Sequence, residues 1–141
     1  MIERILVPTD GSGYSNIALE YAIYIAKKLD SMLIGLNVVD IRLMQAPVVC
    51  DISGAIGIPP CQEFVPVDET GLELKAENIL NAFAERCKTR GVRNEIKKVV
   101  GIIDESIIEE GRKTDMILLA QRGEHLHLGG IGTTAEAVIR K

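Results

Sequence analysis

The sequence is poor in aromatic residues, in basic charge and in long apolar runs. It has no tryptophan and only three tyrosines and two phenylalanines in 141 residues, so aliphatic side chains must fill its core. Its 16 Lys and Arg residues are outnumbered by 20 Asp and Glu residues, which gives a formal net charge of −4. Because nucleic acids and anionic membrane surfaces bind basic footprints, this balance argues against either as a general partner.

No segment of the sequence resembles a signal peptide or a membrane span. The start of the chain is too charged for the apolar region of a signal peptide, and the longest apolar runs have the length of strands. The three cysteines, Cys50, Cys61 and Cys87, do not indicate a disulfide framework, because their number is odd. We therefore expect a cytoplasmic protein with inert thiols; a loop disulfide or a redox role is the alternative.

Short apolar runs alternate with segments of helical spacing along the chain. Strands are predicted at 5–7, 32–39, 92–100 and 116–119, and the many polar residues of 92–100 place that strand at a sheet edge. Helices are predicted after Ser12 or Ser15, over 72–87 before Gly91, over 103–111 and from Thr134. Residues 40–67 follow no clean period, which is typical of a lid, an interaction loop or a disordered segment.

The side chains that should face the core on the first helix share a helical spacing. They are Ala18, Tyr21, Ala22, Ile25, Ala26 and Leu29. The acidic pairs 104–105 and 109–110 are expected on a solvated helix face.

The alternation of strands and helices predicts one α/β domain over residues 1–141. Its sheet should be doubly wound and parallel, with strand order 3-2-1-4 and helices on both faces. Folds of this kind usually add a fifth strand, and here that strand is missing from the pattern. Ligands of such sheets bind beyond the carboxyl ends of the strands, where the strand order reverses.

Two loops at those ends carry the residues of chemical interest. Residues 8–13 follow the first strand, and residues 120–134 follow the fourth. In the second loop, Gly132, Thr133 and Thr134 open a helix, whose free N–H groups and dipole favour phosphate. Arg122 could add a charge-assisted contact. The alternative is a flexible turn in which Thr133 merely caps the helix.

Asp10 ends the first strand, where a carboxylate could bind a ribose hydroxyl or a metal ion on phosphates. Its alternative role is an Asx-turn or a helix cap. The sequence has no dinucleotide fingerprint, because Asn16 stands where the third glycine belongs, and it has no Gly-Lys-Ser/Thr phosphate loop. His125 and His127 supply too few ligands for a metal site, so we predict none.

Several stretches together resemble the universal stress protein family along almost the whole chain. These stretches are 4–12 (RILVPTDGS), 37–40 (NVVD), 100–101 (VG), 114–119 (TDMILL) and 134–138 (TAEAV). The ATP-binding branch of that family has the loop Gly-x2-Gly-x9-Gly-Ser/Thr. This chain has Ala120 for the first glycine and eight residues between Gly123 and Gly132, so a monophosphate or diphosphate is as plausible here as a triphosphate.

The resemblance implies a binding site for an adenine nucleotide. It places Thr9 and Asp10 near adenosine and ribose, backbone groups of Val38 at adenine, and Gly101 against the sugar. Around the ribose and the phosphates it places Leu119, Gly123, Gly132, Thr133 and Thr134. Pro8, Ala120 and Arg122 complete the predicted site.

The predicted function is a stress-response switch or interaction module that binds ATP, ADP or AMP, with Mg²⁺ as an optional companion. The alternatives are a nucleotide-independent interaction domain and a slow ATPase. Turnover is the weaker expectation, because no strong general base stands beside the glycine loop. The resemblance also implies a homodimer. The family commonly dimerises through its last strand, and because that strand is missing from the pattern here, we expect a weaker or differently built dimer.

Overall fold

The structure, a computed structural model, describes residues 1–44, 69–121 and 133–141. The strands are β1 (Arg4–Pro8), β2 (Met32–Asp40), β3 (Asn94–Gly101) and β4 (Met116–Ile117). The helices are α1 (Gly13–Leu29), α2 (Ile41–Met44), α3 (Glu69–Thr89), α4 (Ile103–Gly111) and α5 (Thr133–Arg140).

The four strands form one parallel sheet in the order β3-β2-β1-β4, which confirms the predicted order. β1 aligns Arg4 with Met32 of β2, and β2 aligns Leu33 with Asn94 of β3. On its other side, β1 pairs Ile5 with Met116 and Leu6 with Ile117. Over the described ranges, no strand lies beyond β4, and the polar β3 lies at the opposite edge as predicted.

Helices cover both faces of the sheet, as predicted. On the face of α1 and α3, the buried cluster contains Ile5, Val7, Leu19, Ala22, Ile23, Ala26, Leu33, Phe83, Cys87 and Val92. On the face of α4 and α5, it contains Leu6, Ile34, Leu36 and Ile107, with Ile117, Leu119 and Val138 packed against it. The alternating residues of β1 therefore reach both layers, as expected of a central strand.

The core-facing side of α1 differs from the predicted one. Ser12 caps the helix through its side chain, which accepts the N–H of Ser15, and this confirms the predicted start. Leu19 and Ile23 are buried, whereas Tyr21 and Leu29 are exposed. The predicted face was wrong at these two positions, because Leu19 and Ile23 face the sheet and leave Tyr21 and Leu29 outside.

The predicted bounds of several other elements also change. β4 pairs only over Met116–Ile117, not over 116–119, although the N–H of Leu118 still donates to the carbonyl of Leu6 over 2.8 Å. Residues 41–44 form a short helix that no periodicity indicated, and the rest of the predicted loop, 45–67, lies outside the described residues. Gly91 follows α3 with φ of 69°, as a C′ glycine should.

The prediction of a solvated acidic face on α4 was wrong for two residues. The Glu110 side chain is only 12% exposed and accepts hydrogen bonds from Lys97 of β3, at 2.7 Å, and from Lys113, at 2.8 Å. Asp104 accepts one from Lys141, which follows α5, at 3.0 Å. These ion pairs attach α4 to both of its neighbouring elements.

Candidate functional site at the carboxyl edge of the sheet

β1 and β4 are neighbours, so the loops that follow them leave the same edge of the sheet. This is the point at which the strand order reverses, because β2 and β3 extend from the other side of β1. The predicted site depended on one condition, namely that β1 and β4 are neighbouring strands. The structure meets that condition through the β1–β4 pairing.

The end of β1 is held from β2 by two hydrogen bonds. The N–H of Thr9 donates to the carbonyl of Leu36, and the Asn37 side-chain amide donates to the carbonyl of Thr9, each over 2.8 Å. Asn37 is 7% exposed, and Pro8 is buried beside it. A buried amide with its hydrogen bond satisfied fixes the backbone direction at the start of the loop.

Asp10 forms an Asx-turn at the start of α1. Its Oδ1 accepts the N–H of Ser12 over 2.9 Å, and Gly11 between them has φ of 78°. The Thr9 hydroxyl donates to the buried Ser15 hydroxyl over 3.2 Å. The local role that the sequence left open for Asp10 is therefore realised, and the carboxylate is held half-buried at the edge of the sheet.

The end of β2 brings a charged pair to the same edge. Val38 is half-buried and packs against the core beneath α4 and α5. Two residues later, Asp40 accepts bidentate hydrogen bonds from Arg42, with the shorter ones at 2.8 and 2.9 Å. These hydrogen bonds to Arg42 lower the pKa of Asp40 below its ordinary value, so the pair stays ionised at neutral pH.

Gly101 ends β3 for a reason that the sequence did not show. A Cβ at this position would lie 2.7 Å from the Ser106 hydroxyl oxygen of α4. A side chain here would force the Ser106 hydroxyl to move, so glycine suits the close approach of α4. The approach of a sugar to Gly101, which the resemblance implies, stays a prediction.

At the end of β4, Leu119 and Ala120 are half-buried. Leu119 borders an open cleft of about 480 Å³ next to α5. The other residues that line this cleft are Ile117, Gln121, Ala135, Val138 and Ile139. α5 begins at Thr133, one residue earlier than predicted, and Thr134 is half-buried in its first turn.

The predicted site residues border two different clefts. Thr9 borders a second cleft of about 510 Å³ between α1 and α3, on the face of the sheet opposite α5. It is lined by Thr9, Gly11, Asn16, Leu19, Gly71, Leu74, Lys75, Asn78, Ile79, Ala82, Phe83 and Arg86. Of the predicted residues, Arg122, Gly123 and Gly132 lie outside the described residues, and so do His125 and His127.

Two positioning residues were missed by the sequence reasoning. They are Asn37, which holds the Thr9 carbonyl, and Ser15, which binds the Thr9 hydroxyl. Asn37 carries a usable signal, because it is the only polar residue between Met32 and Val39 in a run otherwise typical of a fully buried strand.

The described parts of the chain contain neither a clustered metal site nor a membrane-spanning helix. Residues 1–44, 69–121 and 133–141 contain no group of three or more His, Cys, Asp and Glu side chains placed to hold a metal ion. In the same ranges, no helix is both long enough and apolar enough to cross a bilayer.

The fold and the site together define a Rossmann-like α/β domain with its candidate site at the switch point of a parallel sheet. The model of the universal stress protein family matches residues 1–141. The chain belongs to this family, and the resemblance stated from the sequence is confirmed.

Individual relatives agree with this assignment. Universal stress protein Slr1230 of Synechocystis is 28% identical over 99% of the chain, which spans 52% of that protein. Universal stress protein MJ0531 of Methanocaldococcus jannaschii is 27% identical over 99% of the chain, which spans 77% of it. The chain thus covers about half the length of the first relative.

Solved structures show the same fold. The structure of hypothetical protein MJ0577 has a TM-score of 0.75 and 25% identity and is matched over 100% of this chain and 90% of its own. UspA from Lactobacillus plantarum has a TM-score of 0.73 and 21% identity, and the match covers 99% of this chain and 91% of that one. A universal stress protein solved in complex with cAMP has a TM-score of 0.62 and 20% identity, and the match covers 99% of this chain and 90% of that one.

Proposed function

We propose that residues 1–141 act as a single adenine-nucleotide-binding domain in the cytoplasm, in which ATP, ADP or AMP serves as a stress-response switch. The observation that carries this proposal is the pairing of β1 with β4, because it starts the loops of residues 8–13 and 120–134 at one edge of the sheet. A relative of the same fold has been solved with cAMP, which is also an adenine nucleotide, and this supports the ligand class.

The proposed roles follow the position of each residue at that edge. Pro8, Thr9 and Asp10 contact adenosine and ribose, on a backbone that Asn37 and Leu36 hold in place. Val38 offers backbone groups to adenine, and Gly101 lies beside the sugar. On the other side, Leu119, Ala120 and the loop that follows them approach the ribose and the phosphates. This second group comprises Leu119, Ala120, Arg122, Gly123, Gly132, Thr133 and Thr134.

Magnesium belongs to this proposal only as a companion of a di- or triphosphate. Asp10 fits such an ion chemically, because a carboxylate is a preferred ligand of Mg²⁺. Its position at the end of β1 would let it neutralise phosphate-bound metal charge. Nucleotide occupancy can act as a switch only if two states of the protein bind the nucleotide with different affinity.

A nucleotide-independent interaction domain is the second candidate function. Two observations favour it. The Asp10 carboxylate already serves the turn before α1, and the space beside Gly101 is already occupied by Ser106. Both residues thus have structural reasons to be present that need no ligand.

Native mass spectrometry and calorimetry distinguish the two functions. The nucleotide proposal expects a co-purified adenine nucleotide, or a binding heat on titration with ATP, ADP or AMP, each with and without Mg²⁺. Asp10→Ala should weaken binding at least tenfold, whereas Glu109→Ala, which removes an exposed carboxylate on α4, should leave it unchanged. Asp10→Asn keeps an acceptor for the Ser12 N–H and so separates loss of the turn from loss of the charge.

Absence of both nucleotide and heat would overturn the nucleotide proposal in favour of the interaction domain. Phosphate release above that of Asp10→Ala would indicate turnover in addition to binding. The same native spectrum reports the oligomeric state, for which we propose a homodimer.

A further inference from the structure

The outer face of α1 carries an exposed stripe of large side chains. All three tyrosines of the chain are in this helix, at positions 14, 21 and 24. Tyr14 is 43% exposed, Tyr21 65%, Tyr24 63% and Ile17 58%. In a chain so poor in aromatic residues, the placement of every tyrosine on one solvent-facing surface is not explained by the core, which aliphatic residues and Phe83 fill.

The stripe has the spacing of a helix-packing seam. Tyr14, Ile17, Tyr21, Tyr24 and Lys28 succeed one another at steps of three, four, three and four residues. This is the a/d pattern with which one helix packs along another, here over two heptads. The buried side of α1, centred on Ala22 and Ala26, points the opposite way into the sheet. α1 therefore has two packing faces, and the residues that the structure describes cover only one of them.

The size of the stripe suits a modest interface. An aromatic side chain offers roughly 200 Å² of surface, so the exposed parts of the four apolar residues sum to on the order of 400 Å². Patches of this size are among the largest that monomeric proteins expose and are often functional. The stripe runs for about 21 Å along the helix axis, at a rise of about 1.5 Å per residue.

The charge beside the stripe is positive and selects the kind of partner. On the side toward α3, Glu20 is contacted by both Arg86, at 3.6 Å, and Arg90, at 3.1 Å. Two guanidinium groups share one carboxylate, so a positive charge remains there. In the last turn of α1, Lys27 and Lys28 are exposed, and the Lys28 ammonium lies 5.6 Å from the centre of the Tyr24 ring.

This basic border disfavours a second copy of the chain. An antiparallel pair of α1 helices would bring the two Glu20 flanks together and place four arginines beside two glutamates. An amphipathic helix with acidic residues beside its apolar stripe would instead find opposite charge along the second half of the stripe, from Glu20 to Lys28.

We propose that the outer face of α1 (the α1 seam: Tyr14, Ile17, Tyr21, Tyr24 and Lys28) is a docking surface for an acidic amphipathic helix of another protein. The tyrosines supply rigid apolar contact with a polar end in water, and the basic residues set the charge preference. This surface goes beyond nucleotide binding, because it lies on the side of α1 that faces away from the sheet, and only its first residue, Tyr14, is near the loop of residues 8–13.

Two synthetic peptides provide the test with the full chain. Both have 21 residues, leucine at every a and d position and a fluorescent label; one has glutamate at e and g, and the other has lysine. Fluorescence anisotropy should show at least tenfold tighter binding of the glutamate peptide, and its affinity should fall as salt is raised from 50 to 300 mM.

Matched variants assign this binding to the seam. The double variant Tyr21→Ser, Tyr24→Ser should lower the affinity for the glutamate peptide at least tenfold. Ile139→Ser, which removes an even more exposed apolar side chain on α5, should change its affinity less than twofold. Lys27→Glu with Lys28→Glu should reduce the preference for glutamate over lysine. Circular dichroism should show that all variants remain folded, because every substituted side chain is exposed.

Several results would overturn the proposal. These are no binding at 1 mM peptide, equal affinity for both peptides, or an equal loss in Ile139→Ser. A concentration-dependent dimer that the double tyrosine variant abolishes would identify a second copy as the occupant. Sedimentation with vesicles of phosphatidylcholine and phosphatidylglycerol, lost in the same variant, would identify a lipid surface. Nucleotide titrations of the double tyrosine variant should match the wild type, which keeps the two proposals separate.

Discussion

Gly35 shows how a single missing side chain sets the position of a helix. A Cβ on this β2 residue would lie 2.6 Å from the nearest ring carbon of Phe83, which is itself 3% exposed. The ring therefore rests directly on the backbone of the sheet. This contact fixes the distance between α3 and β2.

We predict that Gly35→Ala lowers the free energy of unfolding by about 1–3 kcal/mol, because the added methyl group overpacks a rigid contact. Urea denaturation measures the change. Gly13→Ala is the matched control. No atom lies within 4 Å of its Cβ position, and it lies inside α1, so it should be neutral or stabilising by up to about 1 kcal/mol. Equal stability of Gly35→Ala and the wild type would contradict the prediction.

Cys87 lies in surroundings that favour an inert thiol, as the sequence predicts for all three cysteines. It is fully buried and unpaired, and burial raises its pKa to about 11. The reactive thiolate is therefore scarce at neutral pH. Since the folded state holds this proton more tightly than the unfolded chain, stability should fall as the pH rises from the ordinary value of 9.0 toward 11.

In a Cys50→Ser, Cys61→Ser background, we predict that Cys87 reacts with a thiol reagent only as fast as the protein unfolds. The labelling rate should therefore rise with urea along the unfolding transition. Rapid labelling in native buffer at pH 8 would show that the thiol is accessible and would refute this expectation.

At the scale of elements, ion pairs attach α4 to its neighbours. Hydrogen bonds from Lys113 and then Lys97 lower the pKa of Glu110, so the unfolded chain binds this proton more tightly than the folded one. The resulting stability is complete above the ordinary pKa of 4.5 and is lost as the pH falls below it.

Glu110→Gln should therefore destabilise the protein at pH 7 and make little difference at pH 3. We expect the effect at pH 7 to stay near 1 kcal/mol, since both lysines are about half exposed and such pairs are screened by water. Urea midpoints at the two pH values provide the measurement. Glu109→Gln is the neighbouring control, and a loss at pH 7 that persists unchanged at pH 3 would count against the ionic explanation.

The elements that the sequence predicted are those with a strong local signal. Buried strands read as continuous apolar runs, and Ser12 and Gly91 mark helix ends by their own chemistry. Tyr21 was misplaced because an amphipathic tyrosine fits either face of a helix. The length of β4 depends on its pairing with β1, and no local pattern encodes such a long-range contact.

The candidate site was predictable to the same degree. The sequence indicated that the loops after β1 and β4 leave one edge of the sheet if these strands are neighbours, and the pairing of β1 with β4 confirms that they are. It could not show that Asn37 holds the Thr9 carbonyl or that Ser106 occupies the space beside Gly101. Both contacts join residues from different elements, so they exist only after the sheet is formed.

At the scale of the whole molecule, β4 lies at the edge of the described sheet with an apolar cleft beside it. We predict that the proposed homodimer uses this edge, because exposed strand edges and apolar clefts favour association. Ile139 is 73% exposed at the cleft. Ile139→Asp should raise the dimer dissociation constant at least tenfold in sedimentation velocity experiments.

Ile17→Asp is the control for that experiment, because it places the same charge on an exposed isoleucine of α1. The dimer should tolerate it. A dimer that is indifferent to Ile139→Asp would show that association uses another surface.

The pairing of β1 with β4 also constrains the order in which the protein assembles. Its two paired positions, Ile5 with Met116 and Leu6 with Ile117, join residues 111 apart, whereas β2 and β3 pair at eight positions. During synthesis, β1, β2 and β3 are complete before β4 has been made, so one side of β1 stays unpaired until β4 is added. In local opening of the folded protein, we expect β4 to separate from β1 before β2 separates from β3. The Leu118 amide should therefore exchange with deuterium sooner than that of Leu33. The pairing of β1 with β4, beside which the candidate ligand site lies, would then be the last part of the sheet to form and the first to open.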